Sequence, residues 1–255
     1  MKIHKTSIIH KNTEIAKDVE IGPFCIIDEH VKIGSGTKIS PYVHILPHTQ
    51  IGKNNIIHQG STIGGNPQDL KFDNEKTSLI IGDNNIIREY CTINKGTDAT
   101  GKTIIGSNCL LMAYVHVAHD CIVEDNVILA NGVQLGGHSE IHYHAIVGGV
   151  TPVHQFCKVG KHAFIGGGRV VLQDVPPYIL ANGEPLQYSG LNSIGLRRRN
   201  FNLDTRNLIK KAYKILYLSN FNTSQAITKI KSELQKTNEI QSIINFIKKS
   251  DRGLI

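Results

Sequence analysis

The stretch Ile15-Ala-Lys-Asp-Val-Glu-Ile21-Gly-Pro-Phe-Cys-Ile-Ile27-Asp-Glu-His-Val-Lys-Ile33 decides the fold. An isoleucine returns every sixth residue, and four positions after each stands a small or β-branched residue: Val19, Cys25, Val31. Upstream the phase reaches Ile3. Downstream it runs through Ile63, resumes at Ile81, and continues by way of Ile93, Ile105, Val117, Leu135 and Val153 to Val171. Only Asp69, Glu75 and Ala99 break it. This period matches neither the roughly 3.6 residues of a helix nor the alternation of a half-buried strand. One short strand and one turn per repeat fit it instead. Coils built this way stack on their neighbours and bury a continuous aliphatic stripe, which is a solenoid.

Composition supports that reading. The chain has 255 residues, no tryptophan and few aromatics, as expected of thin aliphatic core layers. The five cysteines, Cys25, Cys91, Cys109, Cys121 and Cys157, all fall four residues after the aliphatic position. Spacing that follows the repeat argues for packing, not for disulfides or a metal. Net charge is +7, but residues 186–255 carry 13 basic and 4 acidic side chains, so the surplus sits at the C-terminal end. That asymmetry suggests an anionic partner. Aromatics to stack bases are not interleaved with it, which argues against nucleic acid. Residues 1–13 have no apolar stretch like that of a secretory signal. No run approaches the roughly 18 apolar residues of a membrane span. The expectation is a cytoplasmic protein.

Two insertions interrupt the coils, at residues 64–80 and about 94–103. The first opens with Gly64-Gly-Asn-Pro and carries Gln68, Asp69 and Lys71. Loops held by a rigid scaffold often carry function. The solenoid is expected to stop at Pro176-Pro177, followed by a linker over 181–188. The period then turns helical, with a short basic helix near 191–199. Three amphipathic helices follow, over about 204–218, 223–235 and 238–249, the first capped by Asp204 or Thr205. Their apolar stripes would cover the open end of the solenoid. The expected domains are therefore a β-helix over 1–180 and a basic α-helical unit over 181–255.

Within the repeats, Met112-Ala-Tyr-Val-His-Val-Ala-His-Asp-Cys121 sets His116, His119 and Asp120 close together. His119 can act as a base near neutral pH, with Asp120 biasing its charge. His138 lies 19 residues after His119, about one coil on, and follows Gly136-Gly137; His154 comes 16 residues later. Glycines let a ligand approach the backbone, and their amides can bind an oxyanion.

The repeats resemble those of the hexapeptide-repeat family, whose fold is a left-handed parallel β-helix of triangular section. Several further motifs narrow this resemblance: Asn66-Pro-Gln-Asp-Leu-Lys71, His116-Val-Ala-His-Asp-Cys121, Leu135-Gly-Gly-His138, Val153-His-Gln-Phe-Cys157, Gln173-Asp-Val-Pro-Pro-Tyr178 and Gly190-Leu-Asn-Ser-Ile-Gly-Leu-Arg-Arg-Arg199. With these the chain is similar to the UDP-N-acetylglucosamine acyltransferases, which open lipid A synthesis. The resemblance implies a homotrimer without cofactor or metal. It implies transfer of a 3-hydroxyacyl chain from acyl carrier protein to the 3-position of UDP-N-acetylglucosamine. His119 would be the general base, supported by Asp120, with the Gly137 amide serving the oxyanion. Gln68, Asp69, Lys71, His116 and His138 would hold the sugar or the acyl group, and His154 and Gln155 would line the donor site. Asn192, Arg198 and Arg199 would bind the nucleotide, Arg being suited to a diphosphate. Ile194 stands where some members carry an acidic residue. Gly167 would close the acyl groove and, being small, admit a long donor. A competing reading on the same β-helix is a trimeric zinc carbonic anhydrase, with His116, His119 and His138 as ligands.

Overall fold

Each six-residue repeat folds as a strand of mostly two residues followed by a tight corner, and three repeats close one triangular coil. In the structure, a computed structural model describing residues 2–255, the strands form three walls of 11, 8 and 8 members, parallel except for the last strand of the first wall. Register follows the repeat: Ile3 pairs with Ile21, Val117 with Leu135 and Val123 with Ile141. At the insertions the offset grows, so that Ile63 pairs with Ile93 and Ile81 with Ile105. The fold is a left-handed parallel β-helix.

The aliphatic residue of each repeat points inward. Ile57, Ile87, Leu111, Leu129 and Val147 are fully buried and form one stripe of the core. Burying such a side chain contributes about 1.5–3 kcal/mol, so the stripe is the main stabilising term. The small-residue slot is buried as well, and all five cysteines are free within it. Burial pushes the Cys121 thiol up to about 12, which makes it an inert packing group at neutral pH.

From Phe24 onward the corner residue, three after the aliphatic one, commonly adopts left-handed backbone: φ is 57° at Phe24, 60° at Asp120, 60° at His138 and 65° at Phe156. Such a conformation costs a non-glycine residue about 1–2 kcal/mol. Its N–H is thereby turned onto the coil below, as His138 N–H donates to the His119 carbonyl at 3.1 Å and Phe156 N–H to that of Gly137 at 3.0 Å. Many corner side chains point outward and stack in columns, Tyr90 on Tyr114 at 5.5 Å and His138 on Phe156 at 4.5 Å.

The expected linker over 181–188 is instead a hairpin. Ile179–Asn182 pairs in parallel with Phe164–Ile165, and Gln187–Leu191 returns antiparallel beside it. Ile179 and Ala181 are buried with Leu180 less so, a two-residue alternation that a six-residue template does not register. Four helices follow: α1 (Ser193–Arg198), α2 (Leu203–Tyr217), α3 (Thr223–Glu233) and α4 (Asn238–Lys248). The cap of α2 is Asn202, whose side chain accepts the Thr205 N–H, while Asp204 lies in the first turn, favourable for the helix dipole. The helices dock on the last coils. Tyr213, wholly buried, donates its hydroxyl to the Pro177 carbonyl at 2.6 Å, and Ser250 donates to Asp174 at 2.6 Å. None of the described helices is long and apolar enough to cross a membrane.

Candidate active site

The corner that follows His116–Val117 turns the chain from the second wall to the third. It presents His119 on the groove and sends Asp120 back beneath it. The Asp120 side chain is 0% exposed and that of His119 15%. His119 Nδ1 donates to Asp120 Oδ2 at 2.7 Å; an ionised carboxylate can only accept, so the proton sits on Nδ1 and Nε2 carries the lone pair. Burial alone would raise the Asp120 carboxyl. Hydrogen bonds from Thr100, Thr97 and His119 outweigh it and hold the group below the usual carboxylate range. The ionised carboxylate thereby holds the His119 ring in one orientation.

One coil on, Gly137 faces the same ring. A Cβ added there would stand 2.7 Å from both His119 Nε2 and Cε1, so a side chain fits only if the His119 ring leaves its place. The Gly137 N–H finds no acceptor among the described residues. His138 meets His119 edge-on at 5.2 Å, and its Nε2 lies 3.8 Å from Asp120 Oδ2. His116, on the adjoining wall, pairs through Nδ1 with the Thr92 hydroxyl at 2.7 Å. Burial first, and His119 second, press its protonation below the ordinary histidine range, so it is neutral at neutral pH.

The other expected residues lie on the first insertion, on the coil next to Gly137 and at other corners. Gln68 and Lys71 are exposed, and among the described residues the Asp69 carboxylate accepts only the Lys71 N–H, at 3.0 Å. His154 and Gln155 are exposed on the corner column above Gly137, where Arg252 donates to His154 Nδ1 at 3.0 Å. Gly167 lies on the corner between the first and second walls. Its own φ is not left-handed, whereas Gly168 has φ 67°, so the turn belongs to Gly168. Asn192, Arg198 and Arg199 gather at the corner between the third and first walls. The Asn192 side-chain oxygen caps α1 through the Gly195 N–H at 3.1 Å, and its nitrogen donates to the His162 carbonyl at 3.0 Å. Arg199 donates to His162 Nδ1 at 3.2 Å. Arg198 and Ile194 line an open, largely apolar cavity of about 550 Å³ with Phe164 and Leu191.

The three histidines of the zinc reading do not converge. Among the described residues the group whose ligating atoms lie within 4.8 Å of one another is His119, Asp120 and His138. In that group the carboxylate is already surrounded by hydrogen-bond donors, a donor set ill suited to a metal. The sequence reading did not find Thr97, Thr100 and Thr103, which surround Asp120. Their only signal was position, since Thr103 stands 17 residues before Asp120, about one coil earlier.

Comparison with known proteins shows what the chain is similar to. Residues 174–255 match the family model described as UDP-N-acetylglucosamine O-acyltransferase, domain 2. Residues 30–65 and 102–137 match the bacterial transferase hexapeptide model. The chain is 48% identical over 254 residues to the acyl-[acyl-carrier-protein]–UDP-N-acetylglucosamine O-acyltransferase of Thiobacillus denitrificans, covering 99% of this chain and 98% of that one. It is 49% identical over 256 residues to the protein of the same name from Aliarcobacter butzleri, covering 99% and 97%. The crystal structure of a UDP-N-acetylglucosamine acyltransferase from Bacteroides fragilis superimposes with a TM-score of 0.98 at 46% identity, over 99% of both chains. With close to half of its residues identical across nearly the whole length of these relatives, the chain belongs to the UDP-N-acetylglucosamine O-acyltransferase family.

Proposed function

We propose that this enzyme transfers a 3-hydroxyacyl chain from acyl carrier protein to the 3-hydroxyl of UDP-N-acetylglucosamine, the first step of lipid A biosynthesis, with His119 as general base. The observation that carries the mechanism is the bond from His119 Nδ1 to buried Asp120, which leaves Nε2 bare beside the Gly137 backbone. Nε2 takes the proton of the sugar hydroxyl as its oxygen attacks the thioester carbonyl. The tetrahedral oxyanion is met by the Gly137 N–H, a donor with no acceptor among the described residues. Collapse breaks the carbon–sulfur bond, and the departing thiolate recovers the proton from the imidazolium, which Asp120 has stabilised. The donor is already activated as a thioester, so these groups suffice.

In this reading Gln68, Asp69, Lys71, His116 and His138 hold the sugar or the acyl group, His154 and Gln155 line the donor path, and Gly167 sets the end of the acyl groove. Asn192, Arg198 and Arg199 bind the nucleotide. One amide hydrogen of Asn192 remains for a ligand after its bond to His162. The basic segment 181–255, taken as a unit distinct from the β-helix of 1–180, receives the acidic carrier. Lys210, Lys211 and Lys214 line one cavity there.

The two ends of this substrate are assigned to different corners of one chain: His119 between the second and third walls, Arg198 and Arg199 between the third and first. That separation supports a site completed by a neighbouring subunit, hence a cyclic homotrimer, which satisfies closed symmetry. The test is a mass-spectrometric assay with UDP-N-acetylglucosamine and a panel of acyl carrier protein donors, run with and without chelator. An O-acylated UDP-sugar in both is expected. Failure to form it with any donor would overturn the reading, and a requirement for tightly held zinc would favour the carbonic anhydrase.

A further inference from the structure

We propose that the insertion over residues 94–103 is a positioning device for the catalytic pair. In it Thr97, with Thr100 and Thr103 beside it, holds the Asp120 carboxylate so that His119 keeps its proton on Nδ1 and its Nε2 free for substrate. The inference rests on the reading of His119 as base, and adds residues that this reading does not contain.

The carboxylate is enclosed from three sides. The Thr97 N–H reaches both oxygens, Oδ1 at 3.1 Å and Oδ2 at 3.2 Å. The Thr97 hydroxyl donates to Oδ2 at 2.7 Å, and the Thr100 hydroxyl donates to Oδ1. Thr103 Oγ1 accepts the Asp120 N–H at 2.8 Å, which pins the left-handed corner itself. A carboxylate offers about four lone-pair directions. Thr97 and Thr100 occupy them except on the side of His119, so the imidazole meets a fixed acceptor in one place. Thr97 has no freedom to turn away. Its hydroxyl also accepts the Ala99 N–H at 3.3 Å, so its single proton has the carboxylate as its acceptor. Thr97 and Thr103 are buried.

The titratable groups that face Asp120 are His119, His138 and Cys121, whose thiol burial keeps protonated; of the insertion's own charged groups, Asp98 and Lys102 are exposed and Lys95 is buried over the Phe72 ring. Removing one hydroxyl therefore acts on the histidines through the carboxylate alone. With one donor fewer, Asp120 is a more basic acceptor and less firmly aimed. The imidazolium is then favoured, and the acidic limb of the kcat/KM profile moves to higher pH. The rate falls because the ring is less often in register.

The experiment compares Thr97→Val and Thr97→Ser with wild type in the intact protein. Val keeps the volume and removes the donor; Ser keeps the donor and removes a methyl. For Thr97→Val, kcat/KM is expected to fall roughly ten- to a hundredfold, as for loss of a hydrogen bond to a charged group, with the acidic limb displaced upward. Thr97→Ser should restore both. Nitrogen-15 NMR of the histidine rings gives a readout independent of turnover: His119 should be protonated at Nδ1 in wild type and the Ser variant, and a tautomer mixture in the Val variant. A Val variant with the wild-type tautomer and limb, or a loss that Ser does not restore, overturns the proposal. If wild type itself forms no product, the acyltransfer reading fails, and the NMR comparison still decides whether Thr97 orients His119.

Discussion

His119 makes one short bond to a buried acid and is otherwise bare on its working nitrogen. His119→Ala should therefore leave the circular dichroism spectrum unchanged and lower turnover by roughly 10²–10⁴. The residual activity should lack the acidic limb of the pH profile. Near wild-type turnover in a folded variant would end the mechanism. A second histidine makes the opposite use of burial. His162, 7% exposed, is pushed down to about 3, first by burial and then by the Arg199 charge. Unfolded, a histidine titrates near 6.5. Its folded value is depressed, so the stability it contributes is present above about 6.5 and is lost as pH falls from there toward 3. The full difference amounts to up to about 5 kcal/mol. Asp120, also held low when folded, works in the same direction at the acid end. The melting temperature should thus fall from pH 6.5 to pH 4. His162→Phe, which keeps a ring in the stack but leaves Arg199 without its acceptor, should melt lower at pH 7 and lose less on acidification. Parallel curves for the two proteins would show that His162 is not the titrating group.

At the scale of single elements, the corner carrying Gly167 offers the sharpest test. A Cβ there would lie 3.2 Å from the Gly149 carbonyl oxygen, tight but open to a small shift, and the backbone is not left-handed. Gly167→Met should fold and shorten the groove. Each buried methylene is worth about 0.8 kcal/mol, so losing room for about four costs roughly 3 kcal/mol, a hundredfold or more in preference. The kcat/KM ranking of donors should move from long to short while the best-donor rate stays similar; an unchanged ranking would place the length limit elsewhere. The same element scale explains what the sequence disclosed. Wherever the phase from Ile3 to Val171 holds, each residue's wall and depth follow from its number, which is why His119, Asp120 and His138 were legible as neighbours. Two kinds of feature escaped. The hairpin Ile179–Asn182 and Gln187–Leu191 alternates by two and carries no hexad. Thr97 and Thr100 lie in an insertion where phase is lost, so nothing in their spacing aims them at Asp120. The cap of α2 was hidden differently: Asn202, Asp204 and Thr205 are all capping types close together, and Asn202 stands further from the apolar stripe than the pattern alone requires.

For the whole molecule, the distribution of groups over three corners leads to a mixing experiment. If His119 of one chain serves the nucleotide held by Arg198 of the next, inactive His119→Ala and inactive Arg198→Ala chains co-refolded together should regain activity, because some interfaces then carry both wild-type residues. Light scattering reporting monomer alone, or no recovery on mixing, would reject the shared site. The stacked coils have a mechanical consequence as well. Strand partners along a wall are separated by about one coil of chain, and where the insertions fall, by one longer coil: Ile57 pairs with Ile87, and Ile81 with Ile105. Such a molecule is nearly one-dimensional, each coil held chiefly by the one above and the one below. Pulled by its two ends in a force microscope, it should not burst as a unit. It should unwind like a ribbon from a spool, beginning at the N-terminal rim, where Ile3 and Ile8 stand exposed and no helices cover the last turn. The released length per event should match one coil, with longer steps at the two insertions, whose wider loops cost more entropy to close again.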